Sequence, residues 1–356
     1  MKSDWLDSLK DAHAEWDELA TACPSSHPQY LFDWVEPWWR LIGSKQHTLR
    51  VLRVENNGRT AGLAPLMLVR RNVRNLITLR ELRWLGSGAS DQNDIFSRED
   101  AVDVGRTVGA RLVEEKRAWD ELHLDCVPAG SQAVEAMLDT VRGGLRCTVF
   151  TRTAPSYFID TRSCDWEQYL ATTSKKFVRR DLPRVRRRLA ELGEVTISRH
   201  HTIDVGKLMD TAAAVHQARQ KELRRSSGLA DSAYRAFVTD CLAAFGRRDL
   251  LSAWVMKVGA DIAAYLIGFE FGRVFYAWNM AHNPVYDLAS PGKVLWASAI
   301  QGCFEDTAID EFNMMRGDTE YKLKWTATSR DLLDIRIRNL DTTKSALLNR
   351  LRRPIG

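Results

Sequence analysis

Phe312-Asn313-Met314-Met315-Arg316-Gly317-Asp318-Thr319-Glu320-Tyr321-Lys322-Leu323-Lys324-Trp325 joins a strand to a helix through a glycine turn. The hydrophobic run from Ile309 to Met315 reads as the strand, Gly317 as the turn, and the residues after it as a short helix. On that helix Asp318, Tyr321, Lys322 and Trp325 fall at i, i+3, i+4 and i+7, which lines them along one face. A surface helix ordinarily sets aliphatic residues on such a stripe. Here it carries a carboxylate, a phenol, an ammonium and an indole, just past a strand end, where catalytic groups collect in mixed α/β folds. Asp318 also has a plain structural reading, as the N-cap of the helix.

Working outward, a helix running from Ser290-Pro291-Gly292-Lys293 through Val294 to Phe304 precedes this stretch. Before it come three strands in a meander, Leu251 to Val258, Ile262 to Phe271 and Val274 to Met280, with Gly259 and Gly272 at the turns. Helices over Val205–Leu223 and Ser232–Phe245 come earlier still, and a strand over Leu333–Arg338 follows. Upstream, eight of the fourteen residues from Lys175 to Arg188 are Lys or Arg. Val178, Leu182, Val185, Leu189 and Leu192 meanwhile form an apolar stripe, so one face docks on protein and the other presents cations, suited to phosphates, an acidic carrier, tRNA or anionic lipid, with a plain solvated face as the other reading. Pro183 predicts a kink or a restart.

The first 155 residues contain a helical pattern over residues 5–22 and a second helix from Tyr30 to Leu41, whose Trp34, Trp38 and Trp39 predict burial against a sheet. His47–Val54 and Arg59–Val69 flank Asn57-Gly58, a hairpin turn signal. A strand over Leu79–Leu85 leads into Gly86-Ser87-Gly88-Ala89-Ser90-Asp91-Gln92-Asn93-Asp94. The carboxylates of Asp91 and Asp94 suit binding of a substrate amine or hydroxyl, or removal of its proton; a plain polar turn is the other reading. Helix, strand and helix complete this half.

Length favours two domains, and 45% hydrophobic with 27% charged residues is ordinary for a globular protein. A net charge of +5 favours anionic ligands such as phosphates or nucleotides. Six cysteines without a Cys-x-x-Cys pair predict reduced, mostly buried thiols and no metal site. Met1-Lys2-Ser3-Asp4-Trp5 lacks the apolar core of a signal peptide, and no run approaches about 18 apolar residues, so a cytoplasmic chain without a membrane span is expected.

Arg316-Gly317-Asp318-x-x-Tyr321-Lys322-x-x-Trp325 after a hydrophobic strand resembles the signature of the CelD/BcsL-like acyltransferases, a branch of the GNAT superfamily. Its Tyr-Lys-x-x-Trp portion is similar to the Phe/Tyr-Lys-x-x-Phe/Trp element of the FemABX aminoacyl ligases, which share the fold. Gly86-Ser87-Gly88 with Asp91-x-x-Asp94 also resembles a CelD/BcsL-like segment. The element order of the second half is that of a GNAT domain. The first half repeats it in degraded form, with Arg59-Thr60-Ala61-Gly62-Leu63 opposite Asp261-Ile262-Ala263-Ala264-Tyr265. The expected fold is therefore α/β (α+β), two tandem GNAT-like domains, each a mixed, mostly antiparallel sheet flanked by helices. A degenerate domain spans 1–155, an acyltransferase domain 156–340, and a basic tail 341–356.

Ser290 as cap and Pro291 as first residue would leave amides at the helix start to cradle a pyrophosphate, with Lys293 adding charge. The resemblance implies coenzyme A at this place. The superfamily's usual Gln/Arg-x-x-Gly-x-Gly/Ala is missing, however, since Gly292 is the only glycine between Val285 and Val294. Tyr321 can protonate a leaving thiolate, Lys322 can stabilise an oxyanion or a donor phosphate, and Asp318 can orient Lys322 or the acceptor. Arg316 suits an anionic group, and Trp325 would wall the cleft. The expected activity is acyl transfer from acyl-CoA (acetyl-CoA) to an amine or hydroxyl of a polar acceptor, a sugar or polysaccharide precursor as the family implies. The alternatives are a Fem-like aminoacyl-tRNA-dependent ligase, with tRNA or an acidic carrier meeting Lys175–Arg188, and a non-catalytic binding protein.

Overall fold

Residues 5–22 carry a helical pattern, yet the chain opens with a strand, β1 (Lys2–Trp5), paired antiparallel with β2 (Thr48–Asn56) from Lys2↔Glu55 to Trp5↔Leu52. Helix begins as a 3-10 turn over Leu9–Ala12, capped by Ser8, and continues as α1 (His13–Ala22); before it, the edge of β2 offers the first residues backbone partners that a helix start lacks. This computed structural model describes residues 1–98, 100–173, 177–317 and 320–351. It divides into two units, Met1–Pro155 with Asp331–Gly356, and Ser156–Arg330.

In the first unit, α2 (Phe32–Leu41) buries Trp34, Val35 and Trp38. Asn57 and Gly58 take φ of 50° and 77°, the two-residue turn that suits a hairpin, and join β2 to β3 (Arg59–Val73). β4 (Ile77–Trp84), β5 (Phe96–Ser97), α3 (Ala101–Glu114), β6 (Glu121–Pro128) and α4 (Gln132–Gly144) follow. The sheet runs β1-β2-β3-β4-β6, with β4 and β6 parallel. Alternate strand residues (Leu52, Leu66, Leu82, Trp84, Leu122, Leu124) pack against Val104, Val108 and Leu112 of α3 and Val134, Met137 and Val141 of α4. The two helices touch closely: a Cβ on Gly109 would lie 2.7 Å from the Cβ of Thr140.

β7 (Cys147–Asp160) begins in the first unit and ends in the second. The second unit continues with α5 (Trp166–Thr172), α6 (Leu182–Leu192), β8 (Val195–His200), α7 (Val205–Glu222) and α8 (Ser232–Arg247). Then come the meander β9 (Leu251–Val258), β10 (Asp261–Phe271) and β11 (Val274–His282), followed by α9 (Pro291–Glu305) and β12 (Glu311–Arg316). The strand order is β7-β12-β11-β10-β9-β8, antiparallel except where β11 meets β12. Trp254, Met256, Leu266, Phe275 and Phe312 share a core with α9 and with Leu182, Val185 and Leu189 of α6. Phe245 of α8 meets Phe269 of β10 at 5.0 Å between ring centroids. Pro183 sits in the first turn of α6, which restarts after a wide turn over Phe177–Asp181. Lys175 and Lys176 lie outside the described residues.

β13 (Ser329–Asn339) then pairs antiparallel with β6, from Leu332↔Pro128 to Arg338↔Glu121, and α10 (Thr343–Leu351) follows. The chain from Asp331 therefore belongs to the first unit, which corrects the division into 156–340 and a separate tail. The cause lies in the open edges: β12 already has β11 and β7 as neighbours, whereas β6 has only β4 until β13 arrives. Each unit is a mixed, mostly antiparallel sheet flanked by helices, the tandem GNAT-like architecture. Among the described residues no helix is long and apolar enough to cross a membrane.

One carboxylate is closed into the first unit. Asp94 is 3% exposed; it accepts from the hydroxyls of Ser25 and Ser131 at 2.6 Å each and from the Ile95 amide at 2.8 Å. Ser131 also caps α4 by accepting from Val134 N. Burial raises the Asp94 carboxyl to about 6, against the pull of those hydrogen bonds. A raised carboxyl binds its proton more tightly in the folded chain than in the unfolded one. Stability from this group therefore grows as pH falls from about 7 towards 4, by roughly 2–3 kcal/mol in all. Relative to Asp94→Asn, which cannot titrate, the native chain should gain melting temperature over that window; a pH-independent difference would contradict the buried charge.

Candidate functional site in the second unit

β11 and β12 are hydrogen-bonded for only three residues, Val274↔Glu311, Phe275↔Phe312 and Tyr276↔Asn313. Beyond them each strand follows its other neighbour. β11 stays with β10 as far as Ala264↔His282, with Trp278 as the extra residue of a bulge between Ala277 and Asn279. β12 stays with β7 to Arg316↔Ser156, with a register shift after Asn313. At that shift Met315 takes φ 59°, and its amide donates to Asn313 Oδ1 at 2.8 Å, a local bond that holds an unfavourable left-handed residue. Two parallel strands thus part at their carboxyl ends, the place where open α/β sheets take ligands.

Lys322 closes the β12 side of this split. Its Nζ donates to Met315 O at 3.0 Å and Arg316 O at 2.8 Å, and the residue is 4% exposed. Tyr321 beside it is 40% exposed, with its ring 5.5 Å from that of Trp296 on α9. Trp325 is buried, edge-on to Phe177 at 4.8 Å, and its carbonyl accepts from the Tyr169 hydroxyl.

The expected four-residue stripe does not form. Lys322–Lys324 is a single 3-10 turn, with three residues per turn, so Lys322 and Trp325 point inward together while Tyr321 points out. Trp325 is core rather than cleft wall. Arg316 is exposed at the strand end. Asp318 lies outside the described residues.

On the β11 side, α9 begins at Pro291 as expected, but Ser290 does not cap it. Ser290 takes φ 49° and its side chain makes no capping bond; Oγ points instead at Asp287 O, 3.4 Å away. A hydroxyl turned backward by a left-handed residue leaves the first-turn amides uncapped by that side chain. Gly292 is buried, and a Cβ there would lie 3.2 Å from Met280 Cε; Lys293 is half-buried.

Sequence reasoning passed over the chain leading into α9. His282 Nε2 bonds Asp287 Oδ1, and Arg219 Nη1 reaches the same carboxylate at 2.9 Å. The His282 hydrogen bond, then Arg219, hold the Asp287 carboxyl below its usual range. The only signal was the spacing of two polar residues around Asn283-Pro284, which singles out nothing by itself.

The first unit repeats this arrangement and fills it. β4 and β6 pair in parallel for three residues, Glu81↔Glu121 to Arg83↔His123, and Cys126 beyond them takes φ 58°, as Met315 does. Here the loop after β4 folds back onto the end of β6. Asn93 N donates to Cys126 O at 3.0 Å, Asn93 Nδ2 to Asp125 O at 3.2 Å, and Ser87 Oγ to Asp125 Oδ1 at 2.9 Å. Asp91 lies in this plug, its amide held by Gln29 Oε1 at 2.7 Å. Asp94, the buried carboxylate described above, is not available to a substrate, which corrects its assignment.

Comparison with known proteins agrees with this architecture. Residues 176–323 match the family model described as an acetyltransferase (GNAT) domain. The crystal structure of FemX is similar over 99% of this chain and 100% of its own, with a TM-score of 0.62 and 11% identity. A conserved protein of unknown function from Bacteroides thetaiotaomicron covers 95% of this chain and is itself covered in full (TM-score 0.58, 11% identity). The C-terminal domain (DUF2156) assigned to a lysylphosphatidylglycerol synthetase of Agrobacterium fabrum covers 97% each way (TM-score 0.58, 12% identity). No curated protein matches the chain. At these identities the likeness to solved structures is one of fold, and the match to the acetyltransferase (GNAT) domain model falls within the second unit.

Proposed function

We propose that the second unit transfers an acyl group from acyl-CoA to an amine or hydroxyl acceptor, with the donor lying in the split between β11 and β12. The observation that carries this reading is the parting of β11 from β12, whose counterpart in the first unit is plugged by Asn93 and Ser87. A slot between parted strands accepts an extended chain whose amides pair with the free strand edges. The start of α9 lies at the end of that slot and favours an anion through its first-turn amides and the helix dipole. Ser290, Gly292 and Lys293 would hold the donor's pyrophosphate.

In this reading the acceptor attacks the acyl carbon directly and gives up its proton to solvent, the C–S bond breaks, and the departing thiolate is protonated. Tyr321 is placed for that last proton: it is exposed beside the end of β12 and steadied by Trp296. Lys322 would supply a hydrogen-bond donor at the strand end, where an oxyanion would develop, and Arg316 would receive an acidic part of a ligand. The acceptor class is polar, with a sugar or polysaccharide precursor as the family-based expectation. Aminoacyl-tRNA is the competing donor, because the FemX-like fold spans the whole chain; RNase-sensitive activity without coenzyme A binding would establish it.

Gly292→Asp adds bulk and negative charge at the start of α9, and calorimetry should show coenzyme A binding weakened by at least about tenfold. Unchanged affinity in a folded variant would remove the donor from that place. Tyr321→Phe keeps the ring contact and should lower kcat by about a hundredfold or more, with donor affinity and melting temperature retained. Lys322→Met should cost a similar factor. It should also lose about 1–3 kcal/mol of stability, because two strand carbonyls lose their donor. Full turnover in Tyr321→Phe would contradict its role as the acid.

A further inference from the structure

The turn that leads into α9 presents two aliphatic side chains to solvent in a way that packing does not explain. Pro284–Ala289 is a 3-10 helix, so residues three apart share a side. Tyr286 and Ala289 point inward and are buried, while Val285 and Leu288 point outward at 82% and 91% exposure. The ridge is braced from within. Asn283 Oδ1 accepts from Val285 N at 3.1 Å. Asp287, between the two aliphatics, is held by Arg219 of α7 and by His282. Arg188 of α6 donates to Leu288 O at 3.2 Å. Exposure this complete on a braced turn is costly in water, and the two side chains form a short continuous ridge.

The surroundings are cationic. From Phe177 to Leu192 there are six arginines against two acids, Asp181 and Glu191. Arg188 reaches the ridge directly, Arg184 lies one helical turn before it on the same flank, and Arg187 lies between them towards solvent; all three are exposed. At the end of α7, beyond Arg219, Lys221, Leu223, Arg224 and Arg225 are exposed as well. Aliphatic prongs in a cationic field match one kind of partner. An anionic bilayer surface takes apolar side chains into its acyl boundary while its headgroups pair with the arginines. A nucleic acid would use the charge but has no place for Val285 and Leu288, and stacking partners for bases are lacking on the ridge.

We propose that Val285 and Leu288, with Arg184, Arg187 and Arg188 of α6, form a docking surface for anionic phospholipid. The proposal stands apart from the donor reading, since it needs neither coenzyme A nor catalysis. Co-sedimentation of the full chain with vesicles of phosphatidylcholine alone, and of phosphatidylcholine mixed with phosphatidylglycerol, tests it. The native chain should bind the mixed vesicles, bind phosphatidylcholine weakly, and lose affinity as salt rises. Val285→Asp with Leu288→Asp should weaken binding by about tenfold or more. Arg184→Ser with Arg187→Ser should weaken it and flatten the salt dependence. Both changes lie on exposed positions and should leave the melting temperature unchanged. Absence of binding to mixed vesicles would overturn the proposal. So would affinity indifferent to Val285→Asp with Leu288→Asp, or tRNA binding that needs the arginines while vesicles are ignored.

Discussion

The parting of β11 from β12 after Tyr276 and Asn313 is the constraint on which the second unit depends. Backbone groups released there must be satisfied or offered to a ligand. On one side β10 follows β11 through the bulge at Trp278; on the other, β7 follows β12 through the left-handed Met315. Lys322 then takes the Met315 and Arg316 carbonyls from a turn that returns beneath the strand end. Its burial and its two backbone bonds make it part of the scaffold that holds the end of β12.

The first unit shows what the same frame becomes when the split is closed. Its parallel pair has the same length, and Cys126 occupies the same unusual conformation as Met315. The difference lies in the connection that follows the meander. Gly86–Asp94 folds back onto β6, and Asp94 fastens it from behind through Ser25 and Ser131. The corresponding connection in the second unit, Asn283–Ser290, is fastened to α6 and α7 through Arg188 and Arg219 instead. Where a single loop is tied thus distinguishes the two units.

Local signals carried much of this. Asn57-Gly58 specified the hairpin, Gly259 and Gly272 the meander turns, and Pro183 the restart of α6, because each acts through its own φ and nearest neighbours. Features set by distant partners were hidden. The strand at Lys2–Trp5 depends on the edge of β2, and the return of β13 depends on which strand has an edge to spare. Asp94 read as a surface ligand because nothing in its neighbourhood announces Ser25 or Ser131. The stripe from Asp318 to Trp325 assumed an α-helical period, and a single 3-10 turn redistributed it, burying Lys322 and exposing Tyr321.

The account rests on the claim that the donor lies between the parted strands of the second unit. Hydrogen–deuterium exchange read by mass spectrometry, with and without saturating coenzyme A, tests it most directly. Slowed exchange confined to the end of β11 through the start of α9, and to the end of β12, is the result expected from strand edges and helix amides engaged by a ligand. Slowed exchange in the Gly86–Asp94 connection, or none at saturation, would contradict it.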